Sequence, residues 1–365
     1  MSISGPEVGI SGAGAIGGGL IVHNTREGVA EKEQLNITHV ADDFHTASSF
    51  AKTLRDSTAR PGVDAHARGD VITIGNQRIK MDKVDLEHEV PDWNLAGIEH
   101  IFAASGLRVQ EEKAQEHIDV GGAHNVHITA PAKGEVQTLI VGHNEAEYDP
   151  AIHRLTTNES CTTKSLIHIV RTLRNLYGVQ FLFLETIHAA TGGERRNILE
   201  NSGRVDDVQK LGFTLQGTGA QQALSKAFPD IEIIAGAARV HAADNSVSSA
   251  SMHLGKPIDI EAAANELRNA PAAKVREILM EMTSLDITVE QIADDLTRAQ
   301  QERIWQVIPE LKESSSLLDN THDAVVGKSS IKVARNHVSL HSGYDNGFAP
   351  VRSAHDSMKH IISKA

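Results

Sequence analysis

Cys161 is the only cysteine in a chain of 365 residues, and it lies in the run TTNESCTTKSLIHIVRTLRNLYG, Thr156 to Gly178. Ser160 before it is a helix N-cap residue type, and Leu166, Ile167, Ile169, Val170, Leu173 and Leu176 after it recur with a helical period. That spacing puts the thiol at a helix N-terminus, where unpaired N–H groups and the positive end of the dipole favour the thiolate, the nucleophilic form. A lone cysteine is more often a small buried hydrophobe. What the rest of the chain can bind decides between the two.

A second chemical signal opens the chain. EVGISGAGAIGGGLIVHN reads as a short strand, a loop Gly12-x-Gly14-x-x-Gly17, and an apolar helix that Ala15 and Ile16 begin. This order lets backbone approach a pyrophosphate at a helix N-terminus. Another apolar strand, LNITHVADDF, ends in Asp42-Asp43, and Asp43 lies 26 residues past Gly17. A carboxylate there accepts hydrogen bonds from the adenosine ribose hydroxyls and repels a 2′-phosphate, so NAD is expected over NADP. Ser105 and Thr129 fall at the ends of further strands, IEHIFAASGL and HNVHITAPAKGEVQTLIVGHN, where ligands of parallel sheets bind.

Composition bounds the alternatives. A formal charge of −13 with 4% aromatic residues argues against a nucleic-acid groove, which needs cations and stacking platforms. No apolar run reaches the roughly 18 residues of a membrane span, and the N-terminus lacks the pattern of a secretory signal, so a cytoplasmic protein without membrane contact is expected. The 20 histidines show no paired ligand spacing, so no metal is expected.

The positioning elements read as an α/β fold. Alternating strands and helices in the first half, with a hairpin at Gly75-Asn76, predict a Rossmann-type doubly wound parallel sheet. Strands at Phe181–Ile187, Ile231–Arg239, Ser246–Leu254 and Ser330–Leu340 predict an α+β catalytic domain with a mixed or antiparallel sheet. The stretches PIDIEAAANELRNAPAAKVREILMEM and TVEQIADDLTRAQQERIWQVIPELKES both read as amphipathic. The second is expected to be an added helix with Val289, Ile292, Leu296, Ile304, Val307 and Ile308 packed on its own core. The expected division is an NAD-binding domain over 1–160, a catalytic domain over 161–342, and a C-terminal helix over 343–365 returning to the first.

Taken in order, these segments resemble the phosphorylating glyceraldehyde-3-phosphate dehydrogenase family almost end to end. The likeness rests on GISGAGAIGG, VADDF, ITAPAKGE, YDPAIHRLTTNESCTT, LETIHAAT, GTGAQQAL, ARVHAADNSVS and SGYDNGF, and above all on SCTT followed 27 residues after Cys161 by His188 in TIHA. The resemblance implies that Cys161 attacks an aldehyde carbon and His188 serves as its base. It implies that Asn346 orients the nicotinamide amide. By the same likeness, Ser160, Thr162, Thr218 and Gly219 hold inorganic phosphate, and Thr191 and Arg239 hold the anionic group of a small aldehyde. A homo-oligomer, tetramer or dimer, is implied as well.

The chain also departs from that pattern. Ala15 stands where the family has arginine, Gly193 where it has a phosphate-binding threonine, His241 where it has proline, and Pro350 where it has an aromatic. The loop after His188 offers Arg195, Arg196 and Arg204 as other cations. The same residues accommodate an erythrose-4-phosphate dehydrogenase that releases a free acid, an activity related to the aspartate-semialdehyde and N-acetylglutamyl-phosphate reductases, or a non-catalytic NAD-binding sensor or partner protein.

Overall fold

The computed structural model describes residues 5–25, 33–56, 62–189, 213–240, 245–255, 264–265, 267–268, 270–277, 285, 287–301, 303–317 and 320–365. They fall into two compact units: 1–161 with 319–321 and 347–365, and 162–318 with 322–346.

In the first unit, β1 (Glu7–Ser11) leads through the glycine loop into α1 (Ala15–Thr25), and β2 (Asn36–Asp42) into α2 (Ala47–Arg55). Next come β3 (Ala65–Arg68), β4 (Val71–Ile74), β5 (Gln77–Lys83) and β6 (His100–Ala103), then α3 (Glu111–Asp119), β7 (Asn125–Ile128), β8 (Gln137–Thr138) and β9 (Leu155–Thr157). The sheet order is β3-β4-β5-β2-β1-β6-β7-β9-β8. Its run β5-β2-β1-β6-β7-β9 is parallel and has the order of a doubly wound dinucleotide-binding sheet. The apolar strands are continuous because both faces are covered. Leu20, Ile21, Phe50, Leu54, Val351 and Met358 belong to one core. Trp93, Ile98, Ile101, Ala114 and Ile118 belong to another. The hairpin at Gly75 has formed, with Gly75 at φ +57 and Ile74 opposite Gln77.

The second unit takes nearly all of α4 (Cys161–Tyr177) and the strands β10 (Val179–Ala189), β11 (Phe213–Gly217), β12 (Glu232–Val240) and β13 (Asn245–Leu254), with α5 (Ala220–Ala227) after β11. It continues with α6 (Val289–Ala299), β14 (Trp305–Ile308), β15 (Ala324–Gly327), β16 (Lys332–Ala334) and β17 (His337–Asp345). The mixed sheet runs β11-β12-β10-β13-β17-β15-β14, and β16 pairs with β17. The chain ends in α7 (Phe348–Lys364), which belongs to the first unit.

Three expectations about elements need correction. The segment 330–340 is not one strand. It reverses at Arg335, whose φ is +55, so β16 and β17 form a hairpin with Val333 opposite Val338. Residues 343–345 belong to β17 and not to the C-terminal helix, with Gly343 opposite Val247. The helix expected through Ile308 stops at Ala299, because Gln300 turns to ψ 145. Trp305–Ile308 then pairs in parallel with β15. Ile292 and Leu296 are fully buried, as their spacing required. The stretch 257–282 lies mostly outside the described residues.

Candidate active site

Packing explains two of the three loop glycines. Gly12 has φ +103, and a Cβ there would lie 2.5 Å from the backbone of Ser105, while a Cβ on Gly17 would lie 1.9 Å from the Gly12 carbonyl oxygen. A Cβ on Gly14 would meet nothing within 4 Å. Its surroundings are open, as they are where a ligand approaches backbone. Ala15 opens α1, and Ile16 packs against the core beneath it.

The two aspartates at the end of β2 have separate tasks. Asp42 is 3% exposed, and its carboxylate accepts from Ala13 N at 2.7 Å, Phe44 N at 3.0 Å and His45 N at 2.7 Å. It ties the glycine loop to the strand end. Asp43 is half-buried, and burial, then the charges of Asp42, Asp85 and Glu87, push its carboxyl up from the usual range. Ser105 accepts Leu107 N on its hydroxyl, and Thr129 Oγ1 donates to the Ala103 carbonyl at 3.4 Å. These four strand ends stand side by side in the order β2, β1, β6, β7. The open Gly14 and the accessible Asp43 fit a dinucleotide.

The approach to Cys161 is tightly held. Asn158, fully buried, donates to the Pro350 carbonyl at 3.0 Å and accepts from Ser353 at 3.0 Å. Glu159 has φ +56, a left-handed conformation that disfavours side chains other than Gly, Asn and Asp. Its carboxylate accepts from Thr138 at 2.9 Å. Ser160 and Cys161 are half-buried, and Cys161 is the first residue of α4.

In the second unit, His188 is 5% exposed and sits near the end of β10. Its Nδ1 lies 2.7 Å from the Ala189 carbonyl oxygen. A carbonyl can only accept, so Nδ1 carries the proton and Nε2 is the basic nitrogen. The parallel register of β10 and β12 sets Arg239 directly opposite His188. Tyr344, fully buried on β17, joins three segments: its hydroxyl bonds Thr162 at 3.0 Å and Thr186 at 2.9 Å, and its ring meets that of His188 edge-on at 6.1 Å.

The Thr162 hydroxyl therefore faces inward, 3% exposed, where a phosphate contact was expected of it. Ser246 accepts from Ala189 N at 3.1 Å and donates to Asn346 Oδ1 at 2.9 Å, which leaves the amide nitrogen of Asn346 as its donor. Thr218 and Gly219 precede α5, and a Cβ on Gly219 would meet nothing within 4 Å.

Sequence reasoning missed Tyr344, Ser246 and Asn158, although all three lie inside motifs quoted above. Thr191, Gly193, Arg195, Arg196, Arg204 and His241 lie outside the described residues. Among the described residues, no group of three or more His, Cys, Asp or Glu is placed to hold a metal ion, and no helix is long and apolar enough to cross a membrane.

The strand order and the glycine loop are those of a Rossmann-type dinucleotide-binding unit, followed by a second, mixed-sheet unit. The chain belongs to the glyceraldehyde-3-phosphate dehydrogenase family, as a divergent member: residues 160–346, a little over half of it, match the family described as glyceraldehyde 3-phosphate dehydrogenase, C-terminal domain. It is 31% identical over 200 residues to the glycosomal glyceraldehyde-3-phosphate dehydrogenase of Crithidia fasciculata, covering 52% of this chain and 55% of that one. It is 26% identical to glyceraldehyde-3-phosphate dehydrogenase 2 of Caenorhabditis briggsae over 376 aligned residues, the whole of both chains. Against the Geobacillus stearothermophilus enzyme it is 26% identical over 282 residues, 75% of this chain and 81% of the other.

Proposed function

We propose that the protein oxidises glyceraldehyde 3-phosphate, or a similar small anionic aldehyde, to an acyl phosphate through a thioester on Cys161. The observation that carries this reading is the pairing of a basic imidazole nitrogen with a guanidinium, His188 opposite Arg239, in the unit that follows the thiol. A base beside an anion-binding cation suits an aldehyde with a charged tail.

The Cys161 thiolate adds to the carbonyl carbon, giving a thiohemiacetal. His188 Nε2 takes the hydroxyl proton, with Nδ1 held by the Ala189 carbonyl. Bound NAD would supply the hydride acceptor that turns the thiohemiacetal into a thioester on the sulfur. Gly12, Gly14 and Gly17 would receive its pyrophosphate, Asp43 its ribose hydroxyls, and the Asn346 amide nitrogen would donate to the nicotinamide amide. Inorganic phosphate, held by Ser160, Thr218 and Gly219, attacks the thioester and frees the thiol. Arg239 binds the distal anion, with Thr191 beside it. The Thr162 hydroxyl bonds Tyr344 and so holds the first turn of α4.

The protein works as a homo-oligomer. Phe183, Ile187, Leu215 and Ile234, 43–70% exposed, lie on one face of the mixed sheet, an apolar row that a second copy would cover. Light scattering on the purified chain tests this.

An aldehyde panel with NAD or NADP, with and without phosphate, tests the reaction. Phosphate-dependent reduction of NAD by glyceraldehyde 3-phosphate is the expected outcome. Equal reduction without phosphate, with a free acid as product, would replace phosphorolysis by hydrolysis. No reduction with any aldehyde, despite bound NAD, would leave a binding protein.

A further inference from the structure

One buried arginine, Arg108, has no part in the reaction and ties together three segments beside the cofactor crevice. It is 3% exposed and follows the Ser105 loop at the end of β6. Its Nε donates to the Leu86 carbonyl at 3.2 Å, Nη2 to the Glu89 carbonyl at 2.9 Å, and Nη1 to the Lys113 carbonyl at 3.3 Å and to the Glu116 carboxylate. Two of these contacts grip the turn that follows β5. That turn departs beside β2: Asp42 is opposite Lys83, and Val84 N donates to the Asp42 carbonyl at 3.0 Å.

The residues leaving these adjacent strand ends are Asp43 on one side and Asp85, Glu87 and Glu89 on the other. The turn is also ordered from within, since Asp85 accepts from Glu87 N at 3.2 Å and lies 3.0 Å from His88 Nδ1. Leu86 is fully buried in the core that contains Trp93 and Ile118. Burial first, then the charges of Asp42, Asp85 and Glu87, push the Asp43 carboxyl up. Arg108 thus reaches two backbone carbonyls in an acidic turn, at Leu86 and Glu89.

We propose that Arg108 is a positioning residue for cofactor selection: it pins the acidic turn to the end of β2, so that a 2′-phosphate meets Asp85 and Glu87 as well as Asp43. The proposal rests on the reading of this crevice as the NAD site. Lysine cannot replace the fork, because one ammonium cannot serve carbonyls in two segments and a carboxylate with the same geometry.

The test is calorimetric binding of ADP-ribose and of its 2′-phosphate to the full chain at low salt, for the natural protein, Arg108→Met and Arg108→Lys. The natural protein should prefer ADP-ribose, and both variants should narrow that preference by about tenfold. Asp85→Asn with Glu87→Gln, surface changes that leave Arg108 in place, should narrow it similarly and should do so less at high salt.

If the Arg108 variants weaken both ligands by the same factor, Arg108 is only structural and the proposal fails. Should those variants not fold, an unchanged preference in the surface double variant overturns the proposal equally. Absence of binding of either ligand to the natural protein removes the NAD reading, and this inference with it. Binding of ADP-ribose with no preference over its 2′-phosphate overturns the inference alone.

Discussion

Tyr344→Phe removes one oxygen and preserves the shape of a fully buried side chain. The hydroxyl bonds Thr162 at 3.0 Å and Thr186 at 2.9 Å. Thr186 keeps a contact with the Val247 carbonyl at 3.3 Å, whereas Thr162, 3% exposed, loses its side-chain partner. Two neutral bonds at about 1 kcal/mol each, plus the desolvation penalty of a stranded hydroxyl, give a destabilisation of roughly 2–4 kcal/mol. Two units do not unfold as one transition, so the probe must belong to the second. Trp305 is buried there, and its fluorescence in a Trp93→Phe background reports urea unfolding of that unit. A double-mutant cycle with Thr162→Val should show a coupling of about 1 kcal/mol. The first turn of α4 also carries the nucleophile, and a misplacement on the order of 1 Å can slow chemistry about a hundredfold, so kcat should fall by roughly 10–100-fold. A loss of stability under about 0.5 kcal/mol, or strict additivity with Thr162→Val, would refute the bridging role.

Four further outcomes are expected. Cys161→Ser should fold yet lose nearly all turnover, and iodoacetamide should inactivate the natural protein; a serine variant of near-natural activity contradicts the thioester. Asp43→Ser should shift the ratio of kcat/KM values towards NADP, whereas Asp42→Ala, which strips three N–H groups of their acceptor, should instead lower the melting temperature. Arg239→Ala should lower kcat/KM for the anionic aldehyde by about one to two orders of magnitude and for uncharged glyceraldehyde far less, and an equal loss for both makes Arg239 structural.

The fourth concerns pH. Burial, then the charge of Arg108, push the His117 imidazole down to about 4, and its Nδ1 accepts from the Trp93 indole at 3.0 Å. The unfolded chain protonates near pH 6.5 and the folded one near 4, so His117 lowers stability progressively as pH falls through that window. The full effect is on the order of 3 kcal/mol. Urea midpoints at pH 7 and pH 5 should diverge less in His117→Gln, and identical pH slopes would count against this account.

The parts of the site that sequence could reveal are those where one residue type answers one local demand. Gly12 and Gly17 are required by contacts that any Cβ would violate. The parallel sheet was readable because strands and helices alternate along the first half of the chain, with β1, β6 and β7 buried over nearly their whole length. The division of labour between Asp42 and Asp43 was not readable. It depends on which carboxylate turns towards Ala13, a fact of side-chain direction.

Tyr344 escaped notice for a similar reason. Its partners Thr162 and Thr186 are 182 and 158 residues away, and no local pattern announces such a pairing. The break after Ala299 was hidden because Val307 and Ile308 of a short strand continue the helical stripe, and the reversal at Arg335 because a left-handed turn residue is usually announced by glycine.

The order in which the chain is synthesised gives a different meaning to the position of α7. The second unit is nearly contiguous in sequence: between 162 and 346 only the three residues 319–321 belong to the first. The first unit is not: Asn158 waits for Pro350 and Ser353, at separations of 192 and 195 residues, and Asn24 waits for His355, 331 residues on. A growing chain that folds as it emerges would therefore close the later-encoded unit around its mixed sheet while the earlier-encoded sheet still lacked part of one face. Val351, Ala354 and Met358 arrive only with the last helix. The unit with the glycine loop is begun first and completed last, and its apolar face is what a nascent-chain chaperone would meet for longest.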